Sequence, residues 1–263
     1  MMGDSFMNIY VLLKKTFDTE ERLDIVDGHI EEDDAEFIIN PYDEYAIEEA
    51  IKQREQHGGN VSVVTVGDDD SEKQLRTALA MGADNAFLIN IEDDVEDGDQ
   101  YTTAKILQTF FQDRSFDLIL AGNVAIDEAS GQVGPRLADL LDITYITTIT
   151  KMDISGQTVY LETDVEGDVE MIETNLPLLV TCQQGLNEPR YPSLPGIMKA
   201  KSKPLEELDI DDLDIDEEDV APKTETIHRF LPAEKTAGQI LEGEISDQVK
   251  ELVSRLRHDK KVL

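Results

Sequence analysis

Val61-Ser62-Val63-Val64-Thr65-Val66, then a stretch opening at Ser71-Glu72-Lys73-Gln74 and closing at Met81-Gly82, then Ala86-Phe87-Leu88-Ile89: this passage decides the fold. Both outer runs are apolar on consecutive positions, as strands buried on two faces must be. The middle reads as a helix, with Ser71 and Gln74 spaced as a capping box and Gly82 placed to end it. Two strands separated by one helix pair in parallel through a right-handed crossover. The same rhythm extends upstream. Ile9-Tyr10-Val11-Leu12-Leu13 is a buried strand, and Asn40-Pro41-Tyr42-Asp43 opens a helix with Asn as N-cap and Pro at N1. Ala46, Ile47, Ala50 and Ile51 follow at helical spacing until His57-Gly58-Gly59-Asn60. Between these elements, residues 18–36 are polar and acidic, with a turn or short hairpin around Asp27-Gly28.

Downstream the pattern repeats with a helix over 102–112, a strand over 118–121, and a loop leading into a helix that ends near Leu141. Four strand–helix repeats predict an α/β fold, doubly wound, with a mostly parallel sheet. After Asp142 the helices stop. Segments 145–150, 158–163, 169–173 and 178–181 read as antiparallel additions around a Ser155-Gly156 turn and a final core strand. Residues 187–204 are Pro-rich and hold the one concentration of positive charge, while ten of the sixteen residues 205–220 are acidic. One further helix is expected over 246–258. The expected organisation is an α/β domain over 1–204, with 1–6 as an extension because Met7 opens the first strand. An acidic segment and C-terminal arm fill 205–263, and the arm packs on something else.

The chain of 263 residues carries 58 acids against 23 Lys plus Arg, a net charge of −35. Nucleic acid and anionic membrane surfaces are disfavoured partners, since each needs a basic stripe. No apolar run approaches the roughly 20 residues of a membrane span, and the first residues do not read as a signal peptide. One cysteine, Cys182, excludes an internal disulfide and fits the reducing cytoplasm. The excess of Asp over Lys also suits a saline interior. His29, His57, His228 and His258 have no metal-like spacing, and G-x-G-x-x-G, P-loop and G-x-S-x-G patterns are absent. Nothing pairs a nucleophile with a base, so no catalytic residue is expected.

The informative loop is Gly122-Asn123-Val124-Ala125-Ile126-Asp127-Glu128-Ala129-Ser130-Gly131-Gln132-Val133-Gly134-Pro135. It leaves the C-terminal end of a central strand, where open α/β sheets bind ligands. Ser130 and Gly131 open a helix whose first N–H groups and dipole suit an anion such as phosphate. Basic side chains are not supplied locally, so backbone donors would carry the contact. An ordinary strand-to-helix loop is the alternative on spacing alone.

Four stretches together carry a resemblance: residues 39–44, residues 76–84 (Arg76-Thr77-Ala78-Leu79-Ala80-Met81-Gly82-Ala83-Asp84), the loop from Ala125 to Pro135, and residues 186–201. The last, Leu186-Asn187-Glu188-Pro189-Arg190-Tyr191-Pro192-Ser193-Leu194-Pro195-Gly196-Ile197-Met198-Lys199-Ala200-Lys201, has no simple structural reason to recur. In this order the four resemble the β subunit of electron transfer flavoprotein over residues 8–204. A weaker likeness continues around Lys235-Thr236-Ala237-Gly238. The resemblance implies a HUP-like, adenine-nucleotide-binding sheet in a heterodimer whose α subunit holds most of the FAD site. It implies that this chain binds AMP through Leu12, Asn40, Pro41, Tyr42, Asp43, Val66 and the stretch Gly122 to Val133. Gly131, Gln132 and Val133 lie nearest the phosphate, and Gly and Val stand where animal members have Asn and Thr. Acyl-CoA dehydrogenases and the electron transfer flavoprotein–quinone oxidoreductase are the implied redox partners. Their docking loop maps to 183–204, with Leu194 as apolar anchor and Arg190, Lys199 and Lys201 as the basic ring. Thr19 and Tyr42 map near the flavin. Two other readings share the architecture: a bifurcating relative with a second FAD in place of AMP, and a stand-alone adenine-nucleotide-binding stress-type protein. Against the bifurcating reading stands Lys15-Thr16-Phe17-Asp18 in place of the expected Gln-Val-Pro-Asp, and against the stand-alone one the unexplained arm.

Overall fold

The computed structural model describes residues 6–26, 28–32, 35–91, 98–233 and 237–262. Strand β1 (Met7–Leu12) turns Ile9 and Val11 to one face of a sheet, and Tyr10 and Leu12 to the other. The chain then makes an excursion through four short strands, β2 (Lys15–Phe17), β3 (Ile25–Val26), β4 (His29–Ile30) and β5 (Phe37–Ile39). β2 pairs with β5 and β3 with β4, both antiparallel. The expected hairpin is therefore present on both sides of Asp27, which itself lies outside the described residues. Most of the expected extension, residues 1–5, also lies outside them.

Helix α1 (Pro41–His57), β6 (Gly59–Gly67), α2 (Glu72–Met81), β7 (Asn85–Asn90), α3 (Gln100–Gln112), β8 (Leu118–Gly122) and α4 (Val133–Leu140) complete four strand–helix repeats. Strand β9 (Thr144–Ser155) pairs in parallel with β12 (Leu178–Cys182), contrary to its expected antiparallel place, and the antiparallel pairings are those of β10 (Thr158–Val165) with β9 and with β11 (Asp168–Asn175). Helix α5 (Leu194–Ala200), β13 (Leu205–Leu208), α6 (Glu217–Val220) and α7 (Ile245–His258) follow. The sheet runs β11-β10-β9-β12-β8-β1-β6-β7-β13. β12, β8, β1, β6, β7 and β13 are mutually parallel.

The sheet is covered on both faces. Ile47, Ile51, Leu75 and Leu79 of α1 and α2 pack on one face, and Leu107, Phe110, Phe111 and Leu137 of α3 and α4 on the other. On the second face Tyr10, Phe87, Phe110, Phe111 and Phe116 meet edge to face at 5.1–6.2 Å. Such pairs contribute roughly 0.5–1.5 kcal/mol each beyond the area they bury.

Two further local readings differ from the structure. Ser71 does not cap α2 as a box would have it. A 3₁₀ turn over Asp69–Ser71 precedes the helix, Asp68 accepts from Ser71 N, and Gln74 donates instead to Phe37 O at 3.0 Å. The second difference is the end of the domain. Leu205–Leu208 form an edge strand on β7 inside the acidic run, Ile210 and Val220 are buried in the α3 face, and Thr102 Oγ1 donates to Val220 O. Asp99 then accepts from the backbone N–H groups of Lys223 and Thr224. The chain stays with the domain to about residue 224, because Leu205 and Leu208 pack on the two faces of the sheet and Ile210 and Val220 continue into the α3 face. Protease digestion of the chain without partners should therefore leave a core ending near residue 224. A core ending at 204 would show that β13 does not hold the edge.

Candidate functional site

After β1, successive strands add on one side as β6 and β7, and then the chain crosses back to lay β8 on the other side of β1. The carboxyl ends of β1 and β8 therefore diverge, leaving a crevice where their loops part. Lys14 follows β1 at this place, and the loop 123–132 follows β8.

One side chain closes the base of the crevice. Asp43, in the first turn of α1, is buried and accepts from Lys14 N at 2.7 Å, Gly122 N at 3.0 Å and Asn40 Nδ2 at 3.0 Å. Burial pushes its carboxyl up to about 7, and the donors from Asn40, Lys14 and Gly122 work in the opposite direction. Asn40 stands at the N-cap position, as expected, but its side chain caps nothing. It donates to Val124 O at 3.0 Å and accepts from Ile126 N at 3.2 Å, fastening the long loop to the start of α1.

The crevice encloses about 860 Å³, counting its open mouth. Leu12, Val64, Val66 and Leu107 give it apolar walls, suited to a flat heteroaromatic ring. Asn40 and Asp43 line its base, and Gly122, Asn123, Val124 and Ala125 form the near side of the loop. Glu128, Ser130, Gly131, Gln132 and Val133 line its far end. Of the other expected residues, Pro41, Tyr42, Ile126, Asp127 and Ala129 stand behind the lining. Tyr42 packs against the backbone of Gly122, where an added Cβ would lie 2.8 Å from its own Cβ. Thr19 is exposed in the excursion after β1, away from the lining.

The far end has the features of an anion cradle. Helix α4 begins at Val133, and its first intrahelical donor is Arg136 N, bonded to Gln132 O. Among the described residues, the N–H groups of Gln132, Val133 and Gly134 meet no protein acceptor, which leaves them to a ligand. Gly131 has φ +61°, and a Cβ there would sit 3.2 Å from Asn123 O.

Sequence reasoning missed several residues in the crevice. Lys14, Asp99, Gln100, Thr103 and Thr181 line it from three separate elements or their flanks. The expectation that no basic side chain is supplied locally needs correction. Lys14 lies in the crevice, with Nζ 2.9 Å from Asp127 and 3.0 Å from Glu128. Its charge is shared with two carboxylates, so it offsets acidity at the rim. Gln100 Nε2 also donates to Glu128, at 3.0 Å. Only long-range contact reveals these roles, since nothing in the local sequence around Lys14 points to residue 127.

Residues 27–213 match the family model described as "Electron transfer flavoprotein domain". The chain belongs to the electron transfer flavoprotein family. An electron transfer flavoprotein subunit beta from Bacillus subtilis (strain 168) is 65% identical over 257 residues, covering 98% of this chain and 100% of that one. Another, from Thermoanaerobacterium thermosaccharolyticum, is 40% identical over 255 residues, 95% of this chain and 98% of that one. The acryloyl-CoA reductase electron transfer subunit gamma of Anaerotignum propionicum is 34% identical over 262 residues, with 95% and 98% covered. The likeness to the relatives named subunit beta runs over nearly the whole chain, and the family is one of flavin-dependent electron transfer. No helix among the described residues is long and apolar enough to cross a membrane.

The stretch 183–204 is more ordered than a loop. Leu194 occupies the first turn of α5, capped by Ser193 Oγ at Gly196 N, and is 76% exposed beside exposed Tyr191, Ile197 and Met198. Lys199 and Lys201 are exposed, and neither ammonium makes an ion pair among the described residues. Arg190 differs from them. Its guanidinium bonds Glu48 at 2.8 Å and Glu55 at 2.8 Å on α1, so it is spent on holding the segment down and leaves the basic ring. Asn187 Nδ2 donates to Tyr45 O and to Glu49, also on α1. Those bonds are the structural reason for the Asn187–Arg190 motif.

Asp43 gives a pH test of the crevice. Its folded value near 7 lies above the ordinary 3.8, so between these values the folded chain holds the extra proton. The stability this contributes is full below about pH 4 and is lost as the pH rises through 7. Asp43→Asn should be less stable overall but show a flatter fall in melting temperature from pH 5 to 8, about the range the shift spans. Equal slopes would place the titrating group elsewhere.

Proposed function

We propose that the crevice holds AMP, with the adenine ring among Leu12, Val64, Val66 and Leu107 and the phosphate at Gln132, Val133 and Gly134. The observation that carries this reading is the row of unpartnered N–H groups at the start of α4 beside a Gly131 that leaves them open. A dianionic phosphate in so acidic a chain gains from backbone donors and a helix dipole, which bring no competing side-chain charge. Asn40 and Asp43 hold the two loops at a fixed separation, so the cradle is preformed.

In this reading AMP is structural. FAD, shared with the α subunit and held mainly by it, supplies the one- and two-electron chemistry. This chain's residues exclude water from the shared interface and position the carrier against its partners. Residues 225–263 wrap the α subunit. Support for the arm comes from Ile227, Phe230, Ile240, Ile245, Val249 and Leu252, which are exposed on a segment that makes no core of its own. The implied position of Lys235 and Thr236 in that arm lies outside the described residues. The electron donors are acyl-CoA dehydrogenases of fatty acid β-oxidation in the cytoplasm, and the acceptor is the electron transfer flavoprotein–quinone oxidoreductase of the respiratory chain. The heterodimer purified with its α subunit should carry one FAD and one AMP. Gly131→Val places a branched side chain at a positive φ and against Asn123 O, so it should lose AMP while the remote Glu242→Ala keeps it. Two FAD per heterodimer would replace the AMP reading with the bifurcating one, and no flavin would favour the stand-alone binder.

Docking follows from the exposed face of α5. Leu194, ringed by Lys199 and Lys201, suits an apolar pocket rimmed by carboxylates on the dehydrogenase. Leu194→Ala should cost about 2 kcal/mol of binding, roughly 30-fold in affinity, with AMP, flavin and melting temperature unchanged. Lys199→Ala and Lys201→Ala should lower the on-rate, and the loss should fade as salt is raised. Rapid-mixing reduction at two salt concentrations reads both effects. A Leu194→Ala protein that accepts electrons with wild-type concentration dependence would remove α5 from docking.

A further inference from the structure

Residues 76–84 recur in the family resemblance, yet none of them lines the crevice or lies on the exposed face of α5. The structure brings this motif against the other unexplained one. Arg76, on α2, donates through Nη1 to Ala200 O at 3.1 Å, the last carbonyl of α5, and to Lys203 O at 3.1 Å in the turn that follows. Its Nε is braced by Glu72 at 3.1 Å. Lys203 answers in the other direction, donating to Leu79 O at 2.9 Å in the last turn of α2 and to Ala83 O just beyond it. Each helix thus has its C-terminal carbonyls satisfied by a cation from beside the other, where the macrodipole favours positive charge. Burial lowers the Lys203 ammonium from its ordinary value, as expected of a cation sunk between two helices.

Between these clamps the two backbones come close. A Cβ on Gly196 would lie 2.4 Å from Ala80 O, so only glycine lets α5 sit at its observed distance from α2. A seven-residue helix is too short to persist alone. The exposure of Leu194 on a fixed turn therefore depends on contacts elsewhere.

We infer that Arg76, Lys203 and Gly196 are positioning residues for partner docking: they hold α5 as a preformed anchor, so that Leu194, Ile197 and Met198 meet the partner without an ordering cost. This rests on the reading of α5 as the docking surface. A preordered turn binds more tightly than a floppy one because the chain entropy is lost during folding and not during association.

The test uses the complete heterodimer and a substrate-reduced acyl-CoA dehydrogenase. Gly196→Ala moves α5 with no change of charge, and Arg76→Met releases its C-terminus. Each should raise the apparent KM for the dehydrogenase by about five- to tenfold, the scale of ordering a single helical turn. The limiting rate, flavin content and AMP content should stay at wild-type values. Amide hydrogen exchange over residues 194–200 should be faster in both variants, and Arg76→Lys should recover part of the loss. The Arg76→Met effect should persist at high salt, which separates lost position from lost charge. Faster exchange with a wild-type KM would overturn the inference while Leu194→Ala still reports on docking. A lowered limiting rate at wild-type KM would move these residues from docking to electron transfer and also overturn it. Wild-type KM in Leu194→Ala would fail the docking reading itself, and the inference with it.

Discussion

The carboxylate of Asp43 is the joint on which the rest of the site is built. Three segments far apart in sequence end at one buried side chain: the exit of β1 at Lys14, the exit of β8 at Gly122, and the first turn of α1. The parallel sheet alone would leave two strand ends diverging into solvent with their N–H groups unpaired. A buried acceptor with two oxygens satisfies both and fixes the angle between the loops. Asn40, three residues earlier, then uses its amide to carry the same order into the loop at Val124 and Ile126. A preformed crevice follows from this, because neither loop can move without breaking a hydrogen bond in a dry environment.

The central sheet was legible because its inner parallel strands are largely apolar runs and α1 and α2 are bounded by Pro41 and by Gly58 and Gly82. The proposed site was legible in outline for a related reason: a ligand crevice in this architecture must lie at the strand ends, and the Gly-rich loop after β8 leaves such an end and opens a helix. What escaped was held by distance. Asn40 reads locally as a cap and is in fact a tertiary clasp. Leu205-Glu206-Glu207-Leu208 reads as part of a charged tail, yet its backbone pairs with β7 at the edge while Leu205 and Leu208 pack on opposite faces of the sheet. Lys14 and Arg190 read as a strand-end lysine and a docking cation, while their charges are already committed to Asp127, Glu128, Glu48 and Glu55.

That commitment is a consequence of composition. With 23 basic side chains among 58 acids, few cations can remain unpaired. Arg54 joins Asp84 and Gly82 O, and Arg76 and Lys203 cross between α2 and α5. Each of these spans two elements, and each places its charge where helix carbonyls or buried acids would otherwise be uncompensated. Lys199 and Lys201 differ in being exposed and in making no ion pair among the described residues. A small positive patch on a chain of charge −35 is then conspicuous to any approaching acidic surface, since its field is not cancelled locally.

The two carboxylates that shape the crevice answer to different pH ranges, and this divides the domain into a part that can titrate and a part that cannot. Burial would raise Asp99, but donors from Thr102, Lys223 and Thr224 outweigh it and hold the group at about 2. Asp99 caps α3 through Tyr101 N and Thr102 N and clasps the chain at 223–224, where the arm departs. Stability from a depressed carboxyl is present above its unfolded value and is lost only as the pH falls towards 2. The departure point of the arm is therefore fixed at any pH a cell reaches. Asp43, poised near 7, is the group whose charge can change at neutrality, and it sits where the two loops join. Protonation there removes a negative charge from the base of the crevice without loosening the arm. A change of charge on Asp43 near neutral pH would therefore act on a bound anion from the sheet's switch point, beside the second ionisation of a phosphate monoester itself, and leave the Asp99 clasp unchanged.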